Sequence, residues 1–574
     1  MTDLQSKLNE LVGWCKNQGA KIDSRLKFEY SVEKGIYTVY RPSQDESDES
    51  PNFVVEIPRK MLIVPQTARD FFESMVLGFH SELSSTVLLK GYLAYKLTSP
   101  EDLKNPYFRL LPKLREIRSP LTYSEAELQL LENTNLYRGT QVRMDQLKTE
   151  YQLLMKDIGD NVDRIKFDDF LWGHLILSSR SFPFKIVDEN ADPRSVMMMP
   201  LVDLMNHEPM GRVAWSFTGS HFKVDVEVSN IEMKLANGDG EIEICNNYGP
   251  KGNEELLMGY GFVIPDNSFD YLQLSLGRES ILKLTEGVDL KQWGVSKLPR
   301  LDDYTYSVVT NVYEDPATLE RLGLPDRDDE FVVFMCNKDH SIPEGLLELF
   351  GVICRNSEDE LPTLKSQLNG INKLRESLDT RFKNKLDVMP SKTPEMSLLN
   401  FGNCKYYRNG QLKVYNLMKK VLKEKEKQLL KTNRKNLITI KDVVRKDSEE
   451  FGAFIQLYQL PVENLNKFEM ELFVHLWLFK TVNYHYSSSD SSALPIKILV
   501  EDFKRLQKGE NHVQKDPFLV DLYEQAITPL RRNKDLNDLI VGDYWDLESF
   551  LLVDIVYRRH SYEKGSVLEP VLII

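Results

Sequence analysis

The order of strand-like and helical patterns is the feature that most limits how this chain can fold. Six short runs rich in β-branched and aromatic residues predict strands, at 26–30, 36–40, 53–57, 196–200, 213–217 and 222–228. Between the third and fourth runs, from Pro65 to about Phe170, the apolar residues follow helical spacing. Beyond about Lys291, amphipathic helical patterns dominate. This order predicts an α+β protein, in which a β-rich domain with a helical insertion precedes an α-helical domain.

The length of the chain sets the expected number of domains. A chain of 574 residues is too long for a single hydrophobic core, so at least two domains are expected. We predict a β-rich domain over residues 1–275, with its helical insertion at about 65–165. The helical domain is predicted over residues 290–574.

Charge and cysteine usage narrow the class of protein. The chain has 73 basic and 87 acidic residues, which disfavours non-specific nucleic-acid binding and suits a basic protein partner. The N-terminal residues lack the pattern of a signal peptide, and no apolar run is long enough to predict a membrane span. The five cysteines form no C-x-x-C pair and the histidines have no ligand spacing, so neither disulfides nor a metal site is expected. We therefore expect a cytoplasmic monomer without membrane or direct nucleic-acid contacts.

Two apolar segments end in polar residues of the kind that form active sites. Residues 199–209 contain the pattern D-x-x-N-H at 203–207. Residues 243–262 contain N-x-Y-G at 246–249 and end in Y-G-F at 260–262. Each pattern alone is typical of an ordinary turn or strand end, because Asn and Gly are common there. Their occurrence together, in this order, is much more specific for a functional site.

The second segment reads N-x-Y-G-x-K-x-N-x-x-L-L-x-x-Y-G-F, and the two segments together resemble the signature of SET-domain methyltransferases of the Rubisco large-subunit type. Within that class the chain looks similar to the fungal members that methylate translation elongation factor and ribosomal proteins. Residues 170–182, which end in S-R-x-F, and residues 106–112, which read P-Y-x-x-x-L-P, resemble the same family. The resemblance covers residues 1 to about 275 and is loose in the C-terminal half.

The resemblance implies a protein-lysine N-methyltransferase that uses S-adenosyl-L-methionine and no metal. The residues that it implies for cofactor binding are Lys34, Gly35, Ile36, Arg180, Asn206, His207, Tyr260 and Phe262. Tyr248 is implied to lie beside the transferred methyl group as the catalytic residue, and Asp203, Tyr248 and Tyr260 to contact the substrate. A purely structural role for Asp203 stays open. The Lys34-Gly35-Ile36 turn departs from the glycine-richer G-x-G form that is usual in the family.

The chemistry of methyl transfer explains why aromatic residues and a hydroxyl are needed. The acceptor must be a neutral amine, yet a lysine with its ordinary pKa of about 10.4 is almost entirely charged at neutral pH. An apolar aromatic channel disfavours the ammonium form, and the hydroxyl of a residue such as Tyr248 can orient the amine.

The resemblance further implies that the protein substrate is a translation component, either elongation factor 1-alpha or a large-subunit ribosomal protein, and that the helical domain binds it. A histone substrate or a histidine acceptor is an alternative within the same fold. A non-catalytic binding protein that keeps the SET shell as a scaffold is a further alternative. The presence of Tyr248, Asn206 and His207 disfavours the scaffold.

Overall fold

The computed structural model describes residues 2–41, 53–159, 165–192, 194–226, 242–300, 330–446, 465–487, 496–509, 516–532, 544–565 and 568–574. The chain forms two compact units. The first comprises Met1–Leu282, Pro299–Ser341 and Arg381–Tyr415, and the second comprises Lys283–Leu298, Ile342–Thr380 and Asn416–Ile574. Each unit is therefore assembled from segments that are distant in sequence.

Short antiparallel strands form the sheets of the first unit. They are β1 (Lys21–Ile22), β2 (Leu26–Ser31), β3 (Gly35–Tyr40), β4 (Phe53–Pro58), β5 (Ser181–Pro183), β6 (Val196–Met198), β7 (Val213–Phe217), β8 (His221–Val226), β9 (Ile242–Ile244), β10 (Tyr271–Gly277) and β11 (Phe331–Asn337). Two sheets have the strand orders β1-β4-β8-β7 and β2-β3-β9, and β5-β6 and β10-β11 form separate pairs. The β2–β3 hairpin pairs Ser31 with Gly35, which leaves Lys34 in its turn.

Helices fill the stretch between β4 and β5. Among the described residues up to 284, the helices are α1 (Thr2–Asn17), α2 (Pro65–Met75), α3 (Ser85–Thr98), α4 (Pro106–Leu110), α5 (Glu125–Gln129), α6 (Asn135–Ile158), α7 (Phe167–Arg180), α8 (Asn253–Tyr260) and α9 (Arg278–Leu284). Helices α3 and α7 approach closely at Gly173, where a Cβ atom would lie 2.4 Å from the main-chain oxygen of Lys90. The buried Lys90 side chain pairs with Glu150 at 2.6 Å, which ties α3 to α6.

The described residues beyond 284 include further helices, mostly in the second unit. They are α10 (Leu346–Ile353), α11 (Leu364–Phe382), α12 (Leu398–Thr432), α13 (Ile440–Lys446), α14 (Lys467–Ser487), α15 (Lys497–Lys508), α16 (Pro517–Arg532) and α17 (Leu547–His560). The core of the second unit includes Trp477, Phe479 and Phe550. A small sheet of β12 (Leu437–Thr439), β13 (Ser561–Lys564) and β14 (Glu569–Ile573) has the order β12-β14-β13.

Residues 381–415 pack within the first unit, far from its other residues in sequence. The hydroxyl of Tyr407 donates to Oε2 of the buried Glu254 at 2.6 Å. Nη1 of Arg408 donates to the main-chain oxygens of Leu130 at 3.1 Å and Glu132 at 2.8 Å. These bonds satisfy main-chain oxygens that follow α5 and a buried carboxyl in the first turn of α8.

The predicted α+β class, with a β-rich region that contains a helical insertion and a helical C-terminal region, is confirmed. The three-stranded sheet of the second unit was not predicted, because its strands are only three to five residues long. The predicted strand 222–228 is seen through Val226, and its last two residues lie outside the described part of the chain. Among the described residues, no helix is both long and apolar enough to cross a membrane. The limits 1–275 and 290–574 stay predictions.

Candidate active site

The turn after β6 brings the two polar-ended segments side by side. Asp203 lies in a 3-10 helix, Val202–Leu204, and Asn206 and His207 follow directly. His207 forms a parallel bridge with Asn246, the second residue after β9. The N–H of Asn246 donates to the main-chain oxygen of Asn206 at 2.6 Å. The patterns at 203–207 and 246–249 therefore form one site.

The side chain of Asn206 links this turn to the β2–β3 hairpin. Its Nδ2 donates to the main-chain oxygen of Lys34 at 3.3 Å and to Oε1 of Glu243 at 2.9 Å. Oε2 of Glu243 also pairs with Nζ of Lys34 at 2.7 Å, and this bond raises the pKa of Lys34. Gly35 has a φ of 69°, which the hairpin turn requires and which glycine adopts without strain; Ile36 follows it in β3. The predicted Lys34-Gly35-Ile36 turn thus lies against Asn206.

Aromatic rings stack around Tyr248. Its ring lies between His207, at 4.7 Å and 11°, and Tyr260, at 4.8 Å and 17°. Phe262 closes one side, with its ring 6.2 Å from that of Tyr260. The Tyr248 hydroxyl donates to the main-chain oxygen of Met205 at 2.8 Å, and its N–H donates to Nδ1 of His207 at 3.1 Å. Both ends of Tyr248 are thereby fixed.

Burial sets the protonation states of this stack. It raises the pKa of Tyr248 well above the usual value, so the hydroxyl keeps its proton at physiological pH. Burial also lowers the pKa of His207 to about 4, so the imidazole is neutral. Because Nδ1 of His207 accepts the N–H of Tyr248, the proton of the neutral ring is on Nε2.

Arg180, Asp203 and Tyr107 form a buried hydrogen-bonded chain. Nη1 of Arg180, the last residue of α7, donates to the main-chain oxygen of Asp203 at 3.1 Å and to its Oδ2 at 3.2 Å. The hydroxyl of Tyr107, from α4, donates to the same Oδ2 at 2.9 Å. Burial raises the pKa of Asp203, while Arg180 and Tyr107 oppose that shift. Asp203 therefore has structural partners that the sequence alone did not indicate.

A cavity of about 300 Å³ has Tyr248 in its wall. Its aromatic lining consists of Phe182, Trp215, Tyr248 and Tyr260, and Arg180 and Asp203 also line it. The rings of Phe182 and Trp215 meet edge to face at 5.3 Å. The lining also includes the basic residues Lys90, Arg143, Arg194 and Lys251. The aromatic rings and the Asp203 carboxylate form the part of the cavity that suits a long aliphatic chain ending in a nitrogen.

Three buried polar atoms around this turn have no hydrogen-bond partner among the described residues. They are Nε2 of His207, Nδ2 of Asn246 and Oδ1 of Asp203. A buried polar group without a partner is costly, so such atoms mark places where a ligand completes the bonding. The set offers two donors and one acceptor.

The structure brings all the sequence-predicted site residues into two linked groups. One group joins Asn206 to the Lys34-Gly35-Ile36 turn, and the other joins His207, Tyr248, Tyr260 and Phe262. Asp203 lies in the turn before Asn206 and His207, and Arg180, at the end of α7, pairs with it beside the cavity.

Residues that the sequence analysis did not assign to the site also contribute. Glu243 and Asn246 lay within the quoted motif, so their position was visible although no role was given. Tyr107 lay in the P-Y-x-x-x-L-P pattern, where a tyrosine beside a proline was the only signal. Trp215 carried no signal, because a tryptophan in a strand is usually a packing residue.

Comparisons with known proteins point to protein-lysine methyltransferases. Residues 308–433 match the family model described as the EFM1 middle domain. Ribosomal lysine N-methyltransferase 1 of Saccharomyces cerevisiae is 26% identical over 77% of this chain and 80% of its own length. Protein-lysine N-methyltransferase EFM1 of the same yeast is 22% identical over 99% of this chain and 98% of its own length. The solved SET domain of LSMT bound to methyl-lysine and AdoHcy has a TM-score of 0.52 at 18% identity, covering 74% of this chain and 94% of that one.

The SET fold, the paired motifs and the lysine-methyltransferase relatives define the class: the chain is a protein-lysine N-methyltransferase that uses S-adenosyl-L-methionine. More particularly, it is similar to the fungal enzymes named above, and its fold is that of the SET domain of LSMT. The donor atoms of His207 and Asn246 fit this cofactor. Its purine nitrogens and carboxylate accept hydrogen bonds.

Proposed function

We propose that the enzyme methylates a lysine side chain of a translation component, elongation factor 1-alpha in the first place or a large-subunit ribosomal protein. The observation that carries the acceptor chemistry is the bond from the Tyr248 hydroxyl to the main-chain oxygen of Met205, at the wall of an aromatic cavity. The translation substrate is supported by the relative named as a ribosomal lysine N-methyltransferase. The resemblance of the motifs to fungal elongation-factor methyltransferases favours the elongation factor.

In this proposal Tyr248 orients the amine. Since its proton is directed at Met205, the hydroxyl oxygen presents its lone pairs to an incoming N–H group. An amine that donates one N–H to this oxygen has its own lone pair free to point elsewhere. The stack between His207 and Tyr260 prevents the Tyr248 ring from turning, so this orientation is set before the amine arrives.

The cavity excludes water from the amine. Desolvation by Phe182, Trp215 and Tyr260 lowers the pKa of an entering lysine and so increases its neutral fraction. In this proposal Oδ1 of Asp203 receives an N–H of the substrate, because it is a buried acceptor without a partner among the described residues.

The cofactor-binding roles proposed for Lys34, Gly35, Ile36, Arg180, Asn206, His207, Tyr260 and Phe262 rest on their clustering. The neutral His207 donates through Nε2, and Asn206 keeps the β2–β3 turn against the site. S-adenosyl-L-methionine, when bound, supplies an electrophilic methyl group on a sulfonium. The protein contributes position and exclusion of water, which is what an in-line displacement needs.

We propose that the second unit binds the protein substrate. It has a hollow of about 530 Å³ whose lining includes Glu358, Asp359, Glu501 and Asp502 together with Arg505, Arg559 and His560. Arg505 and Arg559 pair with Asp502. Exposed Glu358 and Glu501 suit a basic protein surface. Charge reversal at these two positions should raise KM for the protein substrate and leave cofactor affinity unchanged, and an unchanged KM would move substrate recognition elsewhere.

The experiment that tests the substrate is mass spectrometry of lysine methylation in cells with and without the gene. We expect loss of one methylated lysine in elongation factor 1-alpha or in a large-subunit ribosomal protein. The purified full-length enzyme with labelled S-adenosyl-L-methionine should restore that mark on protein from the deletion cells, and the Tyr248→Phe enzyme serves as the matched control. Unchanged methylation of all translation components in the deletion cells would overturn the proposed substrate.

A further inference from the structure

The hydroxyl of Tyr107 connects the helical insertion to the active-site turn. Tyr107 is 1% exposed, and its N–H donates to Oδ1 of Asn105 at 2.9 Å, which fixes the start of α4. Its hydroxyl donates to Oδ2 of Asp203 at 2.9 Å, across 96 residues of sequence. The bond is buried at both ends, so the geometry of the Asp203 carboxylate depends on a helix outside the sheets.

Asp203 in turn fixes the backbone of the site. Arg180 donates to its carboxylate and to its main-chain oxygen, so side chain and backbone of one residue are held by one guanidinium. The turn starts at Leu201, whose φ of 82° is unfavourable for a residue with a Cβ atom. Such a conformation persists only where the surroundings hold it. The bonds to Asp203 provide that support directly before Met205 and Asn206.

The support is strongest when Asp203 is ionised, because a carboxylate accepts stronger hydrogen bonds than a neutral carboxyl group. The titratable groups that face it are Arg180 from α7, Tyr107 from α4, Cys15 from α1 and Tyr248. The same cavity is also lined by Lys90, Arg143, His174, Arg194 and Lys251.

Burial raises the pKa of the carboxyl, and the bonds from Arg180 and Tyr107 lower it. Burial also raises the pKa of Tyr107 well above its usual value, so Tyr107 stays a donor. Loss of its hydroxyl would therefore let Asp203 take up a proton at a higher pH.

We propose that Tyr107 is a positioning residue, whose hydroxyl keeps the Asp203 carboxylate ionised and bonded to Arg180, so that the turn 201–207 holds its cofactor-binding geometry at neutral and mildly acidic pH. This inference rests on the proposed cofactor-binding roles of Arg180 and Asn206. It gives the helical insertion a part in the reaction, since α4 contributes the bond. Tyr107 itself contacts no reacting atom in this proposal.

The test is the pH dependence of cofactor affinity, measured by calorimetric titration of the full-length protein with S-adenosylhomocysteine. At about pH 8, the dissociation constant of Tyr107→Phe should be at most about threefold that of wild type. At about pH 6, it should be at least about tenfold that of wild type. The control is Tyr151→Phe, which removes a hydroxyl that donates to the main-chain oxygen of Ile165 at 3.0 Å, away from the site. The dissociation constant of Tyr151→Phe should equal that of wild type at every pH.

A ratio for Tyr107→Phe that does not change with pH would overturn the proposal, because a purely structural role of the hydroxyl predicts that result. A second variant guards against simple misfolding. The side chain at position 203 in Asp203→Asn cannot ionise, so adding Tyr107→Phe should not weaken cofactor affinity further. A further, pH-dependent loss of affinity in the double variant would also overturn the proposal.

Cofactor titration needs no protein substrate. If wild type methylates no translation component, the proposed substrate fails while this test of Tyr107 still stands.

Discussion

Replacing Tyr248 by Phe removes one oxygen from the centre of the aromatic stack. The ring contacts with His207 and Tyr260, at 4.7 and 4.8 Å, do not involve that oxygen and should persist. The main-chain oxygen of Met205 loses its 2.8 Å donor, which costs about 1 kcal/mol of folding stability. The larger effect is on the reaction, because the amine loses the acceptor that orients it.

The expected fall in turnover follows from that lost bond. A positioned hydrogen-bonding group that acts in the transition state contributes about 3 to 4 kcal/mol, so kcat should fall by about 10²-fold or more. Cofactor affinity should change by less than about threefold, because none of the partner-free atoms at the site belongs to Tyr248. The effect should therefore appear in kcat rather than in cofactor binding.

The assay is transfer of labelled methyl groups to an extract from cells that lack the native enzyme, with gel separation and parallel calorimetric titration of the cofactor. Tyr151→Phe, which loses a comparable hydroxyl in α6, should label the same band as wild type. Equal labelling by wild type and Tyr248→Phe would refute the role of the hydroxyl. Loss of cofactor binding in Tyr248→Phe would instead mean that the ring position depends on that bond.

Three further predictions concern binding and stability. Asn206→Ala removes the bonds that hold the hairpin turn, so it should weaken cofactor binding by about tenfold in a calorimetric titration. Unchanged affinity in a folded variant would exclude Asn206 from the site. Burial raises the pKa of Glu254 to about 8, whereas the pKa of a glutamate in the unfolded chain is about 4.3. The contribution of the Glu254 carboxyl to folding stability therefore declines as the pH rises between these two values. Glu254→Gln should flatten that decline and raise the melting temperature near about pH 8, whereas parallel curves from about pH 5 to about pH 8 would contradict the expectation. Gly173→Ala forces a Cβ against the main-chain oxygen of Lys90, so it should lower the free energy of unfolding by about 1–3 kcal/mol in denaturant titrations. Gly13→Ala, which has open space around its Cβ, should leave the free energy of unfolding undiminished.

Local patterns in the sequence determined the class of fold and most of the candidate site. Period-two and helical spacing report which face of an element is buried, and that property needs no knowledge of distant contacts. The paired patterns at 203–207 and 246–249 pointed to one site because each ends an apolar strand-like segment in polar residues. The family resemblance that these motifs carry is what singled out Tyr248 and Asn206.

The sequence also predicted a division near residue 275, and that prediction stays untested. The packing of residues 381–415 into the first unit could not be predicted from it. The bonds from Tyr407 to Glu254 and from Arg408 to Leu130 join positions more than a hundred residues apart. Amphipathic spacing identifies an apolar face on a helix but not the surface that covers it. A protein truncated near residue 290 would lose these partners and leave the Glu254 carboxyl without its donor.

The partners of individual polar atoms were decided by tertiary structure alone. Asp203 had equal claims to a structural and a substrate role in the sequence, and the structure gives it Tyr107 and Arg180 as partners while leaving Oδ1 without one among the described residues. Its charge state depends on burial and on these two neighbours, which come from separate helices. Hydrogen bonds and pKa values depend on distances of a few ångströms in space, and a single sequence specifies the residue types but not those distances.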